Sequence, residues 1–278
     1  MFAPILVIGR GFVGSKVVRE LPHAVSYDVD IADRKAVRGV FECVRPKFLI
    51  NCAGKAGSPN IDWCERNKEA TWRSNVEGVR ILAELCAEFD CFLVQLSSGC
   101  LFRGAALSSC GWRESDQTFA PNFYLRTKLE AERIVLGFPF SIIRIRLPVD
   151  SEPHPRNTLT KICSFDFVTR GCNSITVLDD LVYTIRMVLK ERTHGIIHCV
   201  SPDAVSPSHM RRLMMSAGLA SRNFKEIDTP ELEELKLVRV ARSDAILATK
   251  RLNSLGIRLD PTDRSLANVI SRYGSFVT

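Results

Sequence analysis

The chain has 278 residues, of which 46% are hydrophobic and 25% charged, enough apolar material for a full core and too much for an intrinsically disordered protein. Its formal net charge is +7, but the basic residues alternate with acidic ones instead of forming runs, which suits an anionic small molecule better than a nucleic acid. No apolar run approaches the roughly 18 residues of a membrane helix, and the ten cysteines include no C-x-x-C pair, so neither a membrane span nor a metal centre is expected.

The first strand-like segment, Ile5–Ile8, has no secretory leader before it, which places the thiols in a reducing compartment, the cytoplasm. Short apolar runs then alternate with helical periodicity, the pattern of a parallel sheet with crossover helices. Strands are expected near 4–8, 24–28, 47–52, 91–97 and 141–147. Helices are expected near 12–20, 33–44, 62–88 and 121–136, with Asp33 capping the second and Asn122 near the start of the fourth. After Arg146 the alternation gives way to Pro-rich, polar sequence from Leu147 to Pro155. The expected fold is therefore α/β, a Rossmann-type doubly wound parallel sheet over residues 1–148 followed by a smaller α/β substrate lobe over 149–278. A strand-helix-strand unit at 174–199 should return to the first domain, and further helices are expected near 207–217 and 229–236.

Gly9-Arg10-Gly11-Phe12-Val13-Gly14 follows the first strand and opens the first helix. In that setting the first two glycines let the backbone turn and approach a pyrophosphate, and the third lets helix and strand pack closely. Asp28, at the end of the second strand, suits the adenosine ribose of NADH, and Asp30 competes for that role. Arg10 suits the 2′-phosphate of NADPH instead. Both cofactors stay open on these residues, with NADPH preferred.

Tyr124-Leu125-Arg126-Thr127-Lys128 puts a phenol and an ammonium one helical turn apart on one face. The cation favours phenolate, so the tyrosine can pass a proton to a ketone oxygen as hydride arrives. Ser97-Ser98 ends the fourth strand, where a second hydroxyl would meet the same carbonyl.

Several further stretches carry a family resemblance. They are Asn51-Cys52-Ala53-Gly54, Pro59-Asn60-Ile61-Asp62-Trp63-Cys64-Glu65, Asn75-Val76-Glu77-Gly78, Ser98-Gly99-Cys100-Leu101-Phe102, Pro155-Arg156-Asn157-Thr158-Leu159-Thr160-Lys161-Ile162 and Ala241-Arg242-Ser243. With these the chain resembles the extended short-chain dehydrogenase/reductases, and within them the dTDP-4-dehydrorhamnose reductases, nearest to the branch that joins epimerase to reductase in nucleotide-rhamnose synthesis. The resemblance implies 3,5-epimerisation and then 4-reduction of a UDP- or dTDP-linked 4-keto-6-deoxyglucose. It also implies a separate 4,6-dehydratase that supplies this substrate, and it is compatible with a homodimer. A C4 ketone acidifies the hydrogens on both neighbouring carbons, and inversion needs a proton returned from the opposite face.

By resemblance the two acid/base groups are Cys100 and Lys161, alongside Ser98, Tyr124 and Lys128 as the reducing set. The resemblance further implies Ala53 and Gly54 beside the cofactor. Asn60, Ser98, Cys100, Arg156, Asn157 and Arg242 are then expected on the nucleotide sugar. The acid that usually follows the late arginine is missing around Ala245-Ile246-Leu247, which makes Arg156 and Asn157 stronger candidates than Arg242. Alternatives are a GDP-fucose synthase, whose second acid/base group is a histidine where Lys161 stands here, a reductase without epimerase activity, and a non-catalytic regulatory binding subunit.

Overall fold

A computed structural model describes residues 4–276 except 59, 105, 107, 109, 221, 222 and 241. Pro59 and Ala241, each part of a family-like stretch, therefore lie outside the described residues. The chain divides into two compact units. The first holds residues up to Leu101 with Ala120–Arg144 and Val182–Ile197, and the second holds Phe102–Phe119, Ile145–Leu181 and His198 onward.

In the first unit, β1 (Ile5–Ile8) leads into α1 (Phe12–Glu20), β2 (Ala24–Tyr27), α2 (Arg34–Val44) and β3 (Phe48–Asn51). Asp33 caps α2 as expected, its carboxylate accepting from the Ala36 N–H at 3.0 Å. The single helix expected over 62–88 is instead broken. It consists of α3 (Asp62–Arg66), α4 (Lys68–Trp72), a π turn at Arg73–Glu77 and α5 (Gly78–Glu88). Asn67 makes the first break, because its side chain donates to the Trp63 carbonyl at 2.9 Å and its own backbone leaves the helical region.

Next come β4 (Phe92–Ser98), a 3₁₀ turn at Gly99–Leu101, α6 (Phe123–Leu136) and β5 (Ser141–Ile145). The strand expected to reach 147 stops short where Leu147 takes a left-handed φ of 39°, which turns the chain out of the sheet. The six-stranded sheet has the order β2-β1-β3-β4-β5, completed by the later strand Gly195–His198. β1 pairs in parallel with β2 on one side and β3 on the other, so the topology reverses between β1 and β3. In doubly wound sheets ligands bind at the carboxyl ends of the strands that flank such a switch point.

The second unit is built from shorter pieces. β6 (Pro148–Val149) pairs with β8 (Thr176–Val177), and β7 (Phe167–Thr169) pairs with β10 (Lys225–Ile227). Helix α7 (Thr158–Ser164) lies between β6 and β7 in sequence. After β8, helix α8 (Leu178–Glu191) starts in this unit, and its body leads to β9 (Gly195–His198). The remaining helices are α9 (Pro207–Ser216), the one-turn α10 (Glu231–Glu234), α11 (Lys250–Ser254) and α12 (Thr262–Gly274). Its main core gathers Val149, Leu159, Val168, Val177, Met210 and Leu266 among other buried residues. Residues 102–119, expected in the first domain, belong here because Phe102 stacks on Trp112 at 5.3 Å and clusters with Val200, Ala245 and Leu247. The return to the first unit starts at Val182 rather than 174, since Ile175 and Val177 are spent in the second core. Among the described residues no helix is long and apolar enough to cross a membrane.

Candidate active site

The glycine loop sits at the carboxyl end of β1, and its three glycines answer to different demands. Gly9 has φ +98°, and a Cβ there would lie 2.3 Å from the Ala53 nitrogen, so the loop after β3 rests directly on it. A Cβ on Gly14 would meet the Gly9 carbonyl oxygen at 1.7 Å. Gly11 differs, because a Cβ there has nothing within 4 Å. It caps α1 without a side-chain acceptor, and the first turn of α1 carries no acid. Room beside Gly11 is thus left at the start of α1, where a helix N-terminus carries the partial positive charge that favours a pyrophosphate. Phe12 and Val13 are half-buried in that first turn, whereas Arg10 is exposed on the loop.

At the end of β2, Asp28 is exposed. Asp30 is engaged elsewhere, for one carboxylate oxygen accepts from Arg73 at 2.5 Å and the other from the Ala32 N–H at 3.0 Å. The Arg73 hydrogen bond and then the Ala32 amide hold the Asp30 carboxyl below the usual aspartate range. Of the two acids, Asp28 is the one without a competing cation. In the next crossover the Ala53 N–H donates to Asn51 Oδ1 at 3.0 Å, and Gly54 is exposed.

The reducing pair lies on α6. Asn122 caps this helix by accepting from the Leu125 N–H at 2.9 Å, and Glu65 of α3 accepts from the Phe123 N–H at 2.5 Å. The Lys128 ammonium donates to the Leu96 carbonyl on β4 at 2.9 Å, which docks the first turns of α6 beside the strand end that carries Ser98. Burial pulls the Lys128 pKa down to about 8, against the opposing pull of Glu132 and Cys52. The neighbouring Cys52 thiol is pushed up to about 12 by its own burial. Tyr124, one turn before Lys128, is half-buried.

Ser98 is buried, and its Oγ accepts from the Cys100 N–H at 3.2 Å, leaving its own proton for another acceptor. Cys100 is partly exposed on the 3₁₀ turn against which α6 packs. None of the ten cysteines is joined in a disulfide.

The remaining expected substrate residues divide by role. In the second unit, Asn157 is fully buried and spent on structure. Its Oδ1 accepts from the Leu159 N–H at 3.1 Å to cap α7, and its Nδ2 donates to the carbonyls of Asp150 at 2.8 Å and Glu152 at 2.9 Å. Its amide is thus engaged within the protein rather than offered outward. Arg156, its neighbour, is exposed. Lys161 is half-buried one turn into α7, and burial first, then the charge of Arg156, lowers its pKa. His154 is lowered by its burial and then by the charges of Arg156 and Lys161, so these two cations put one positive field on this stretch. Arg242 is half-buried and donates to the Val240 carbonyl at 2.8 Å. In the first unit, Asn60 uses its Oδ1 to accept from the Asp62 N–H at 2.8 Å and start α3.

Sequence reasoning passed over three side chains that the structure brings to the site. Glu65 caps α6, as described above. Asn75, on the π turn, accepts from the Lys55 N–H at 2.7 Å and donates to the Thr127 hydroxyl at 3.0 Å, tying the loop after β3 to the residue before Lys128. Glu132 lies one turn beyond Lys128 and is buried. Glu65 and Asn75 both stand inside stretches that carried the family resemblance, which was the available signal.

A glycine loop at the switch point, with the Ser98 hydroxyl and the Lys128 ammonium beside the carboxyl end of β4 and Tyr124 one helical turn before that lysine, defines a Rossmann-type NAD(P)H-dependent oxidoreductase. Within that class the chain belongs to the family described as RmlD substrate binding domain, whose model matches residues 4–273. It is 32% identical over 231 residues to the bifunctional dTDP-4-dehydrorhamnose 3,5-epimerase/dTDP-4-dehydrorhamnose reductase of Arabidopsis thaliana, covering 81% of this chain and 76% of that protein. A trifunctional UDP-glucose 4,6-dehydratase/UDP-4-keto-6-deoxy-D-glucose 3,5-epimerase/UDP-4-keto-L-rhamnose-reductase of the same plant is 33% identical over 221 residues, which are 77% of this chain. The chain spans a third of that relative's length, 33%. Among solved structures, the L780 UDP-rhamnose synthase of Acanthamoeba polyphaga mimivirus shares the fold with a TM-score of 0.89 at 24% identity, covering 98% of this chain and 100% of that one. The dTDP-4-dehydrorhamnose reductase of Bacillus anthracis, solved in complex with NADP, gives a TM-score of 0.81 at 19% identity over 99% and 98%.

Proposed function

We propose that the chain epimerises a nucleotide-linked 4-keto-6-deoxyglucose at C3 and C5 and reduces it at C4, giving the nucleotide-linked L-rhamnose. The observation that carries this reading is the pairing of Ser98 at the end of β4 with Cys100 on the turn that follows, the Cys100 N–H donating to the Ser98 hydroxyl and both elements packing on the helix that bears Tyr124 and Lys128. A bifunctional relative at about a third identity supports it. The glycine cradle would hold the pyrophosphate of NADPH, with Arg10 toward the 2′-phosphate. Once bound, the reduced nicotinamide supplies the hydride for C4.

The protein's own groups do the rest. Ser98 donates a hydrogen bond to the C4 oxygen, and this polarisation acidifies the hydrogens at C3 and C5. Cys100 and Lys161 are the two groups that remove and return those protons, and the lowered Lys161 pKa suits a lysine that must give up its proton to act as a base. Tyr124 then delivers a proton to the C4 oxygen during reduction, its phenolate favoured by the Lys128 charge. Arg156 meets the diphosphate. The 4,6-dehydration that creates the ketone belongs to another catalytic domain, and the cytoplasm is the compartment that keeps Cys100 reduced.

The test separates the two half-reactions. In D₂O with UDP- or dTDP-4-keto-6-deoxyglucose and no usable hydride donor, the wild type should wash deuterium into C3 and C5, seen by NMR. Cys100→Ala or Lys161→Met should suppress exchange at one or both carbons while NADPH binding stays intact. If both variants exchange at the wild-type rate, the epimerase assignment is wrong. Absence of NADPH consumption with either sugar would favour a regulatory binding subunit instead.

A further inference from the structure

One buried ion pair beside the reducing pair has no part in the chemistry described above. Glu132 and Arg144 are each about 1% exposed, and the guanidinium grips the carboxylate through two bonds, Nε to Oε1 at 2.9 Å and Nη2 to Oε2 at 2.6 Å. Ser97 adds a third, its hydroxyl donating to Glu132 Oε1 at 2.6 Å. The three residues come from α6, β5 and β4. A buried ion pair of this kind is a weak source of stability, since apolar residues of similar volume often serve as well or better. Its position supplies another reason for it.

Glu132 follows Lys128 by four residues, which puts both on one face of α6. The two anchor on consecutive residues of β4, Lys128 on the Leu96 carbonyl and Glu132 on the Ser97 hydroxyl. The next residue of that strand is Ser98. The titratable groups whose charge reaches Lys128 are Glu132 on its own helix and Cys52 after β3, with Tyr124 one turn earlier and Arg144 held against Glu132 from β5. Cys52 stays a neutral thiol near pH 7, because its burial pushes it up to about 12. Glu132 is therefore the one carboxylate among them that opposes the loss of the Lys128 proton.

We propose that Glu132 is a positioning residue for the Tyr124–Lys128 pair: clamped by Arg144 and Ser97, it keeps the Lys128 ammonium charged and in register with β4, and so sets the upper pH limit of the reduction. This rests on the reductase reading above only for its consequence in turnover; the effect on Lys128 itself does not depend on any substrate.

The experiment reads both. Protein carrying ¹³C-labelled lysine is titrated by NMR, the Lys128 Cε resonance being assigned by its loss in Lys128→Met. In Glu132→Gln the Lys128 midpoint should move to lower pH by about half a unit or more, because the favourable carboxylate charge is gone. The alkaline limb of kcat/KM for NADPH-dependent reduction should move with it. An unchanged midpoint, with a rate loss uniform across pH, would make Glu132 a structural residue and overturn the proposal. Glu132→Gln leaves Arg144 buried without its anion and can fail to fold on that account. The double variant Glu132→Gln/Arg144→Gln removes both charges and should keep an acidward shift, though a smaller one, since Glu132 acts on Lys128 directly and Arg144 is not among the charges that do, and it overturns the proposal if its Lys128 midpoint stays at the wild-type value. If the wild type turns over neither sugar while the Lys128 midpoint still moves, the functional reading has failed and the role of Glu132 stands.

Discussion

Adjacent residues in one sequence stretch can serve opposite purposes, as Arg156 and Asn157 do. Both came forward on the same resemblance, yet only the hydrogen-bond inventory separates them. Asn157 has its oxygen and both amide protons committed inside the protein, while Arg156 is exposed. Asn157→Ala should therefore lower stability by about 1–2 kcal/mol through the lost cap and the unpaired carbonyls of Asp150 and Glu152. At a temperature where the variant is folded, its KM should stay near the wild-type value. Arg156→Ala should do the reverse, with little change in thermal midpoint and KM raised about tenfold, the worth of one charge-assisted contact to a diphosphate. Denaturation curves and initial rates on the two variants check this, and a KM defect confined to Asn157→Ala would show that the assignment is inverted. Tyr124→Phe should fall below about a tenth of the wild-type reduction rate, which is an effect above about 1.4 kcal/mol. A smaller loss in single-turnover measurements means that another group donates the proton.

At the scale of elements, the glycine loop and the crossover helices show what one-dimensional pattern carries. The β1–loop–α1 unit was legible from its glycine spacing, and Asp33 was legible as a cap because capping is set by neighbours two or three residues away, while Asn122 was placed near the start of its helix and the structure adds that it caps it. The break at Asn67 and the π turn at Arg73–Glu77 were not, since apolar periodicity runs across both; the first comes from one amide turning back on the Trp63 carbonyl, and at the second Asn75 reaches Lys55 and Thr127, far off in sequence. The loop also separates fold from binding. Gly14→Ala should abolish soluble protein, because its Cβ would meet the Gly9 carbonyl at 1.7 Å. Gly11→Ala meets nothing and sits at φ −78°, so the fold should be kept or gain a few tenths of a kcal/mol. NADPH affinity should nonetheless drop at least about tenfold as the methyl fills the cradle, or about 1.4 kcal/mol. Quenching of intrinsic fluorescence measures this without any turnover, and unchanged affinity in Gly11→Ala would remove the cradle from the pyrophosphate.

At the scale of the whole chain, the sequence revealed the first unit far better than the second, and strand length explains the difference. Four-residue and longer strands with full crossover helices carry a local signal, whereas β6 has two residues and β7 three, and these are held by partners distant in sequence. Arg146 illustrates the point, for it is buried and donates to Asn173 and to the Ser243 carbonyl, a network that no periodicity announces. Helix α12 is the counter-example, because Leu266, Val269, Ile270 and Tyr273 recur at helical spacing and the expectation still omitted it. Each unit also carries a group that burial holds in an unfavourable charge state at neutral pH, Asp180 and Lys128, and the two work in opposite directions. In the second unit Asp180 has a buried carboxylate oxygen without a hydrogen-bond partner, and burial, then the charges of Asp179 and Asp260, raise its pKa from 3.8 to about 6. Between those values the folded chain binds the extra proton, so stability falls as pH rises through that window. Lys128 is lowered from 10.5 to about 8, and between those values the unfolded chain binds the extra proton, so stability rises with pH there. Together they place a trough between about pH 6 and pH 8, where Asp180 is ionised and Lys128 protonated. Asp180→Asn should thus raise stability at pH 7 by about 1–2 kcal/mol after allowance for its partial exposure, and should have no such effect at pH 4. Lys128→Met should raise it by a similar amount at pH 7, since a buried-charge cost of up to about 3 kcal/mol is partly offset by the lost bond to Leu96, while reduction is abolished. That gain should vanish above about pH 10, where the unfolded lysine also loses its proton. Calorimetry across this range decides the matter, and thermal midpoints of both variants that track the wild type at every pH would mean that neither charge is a burden to the fold.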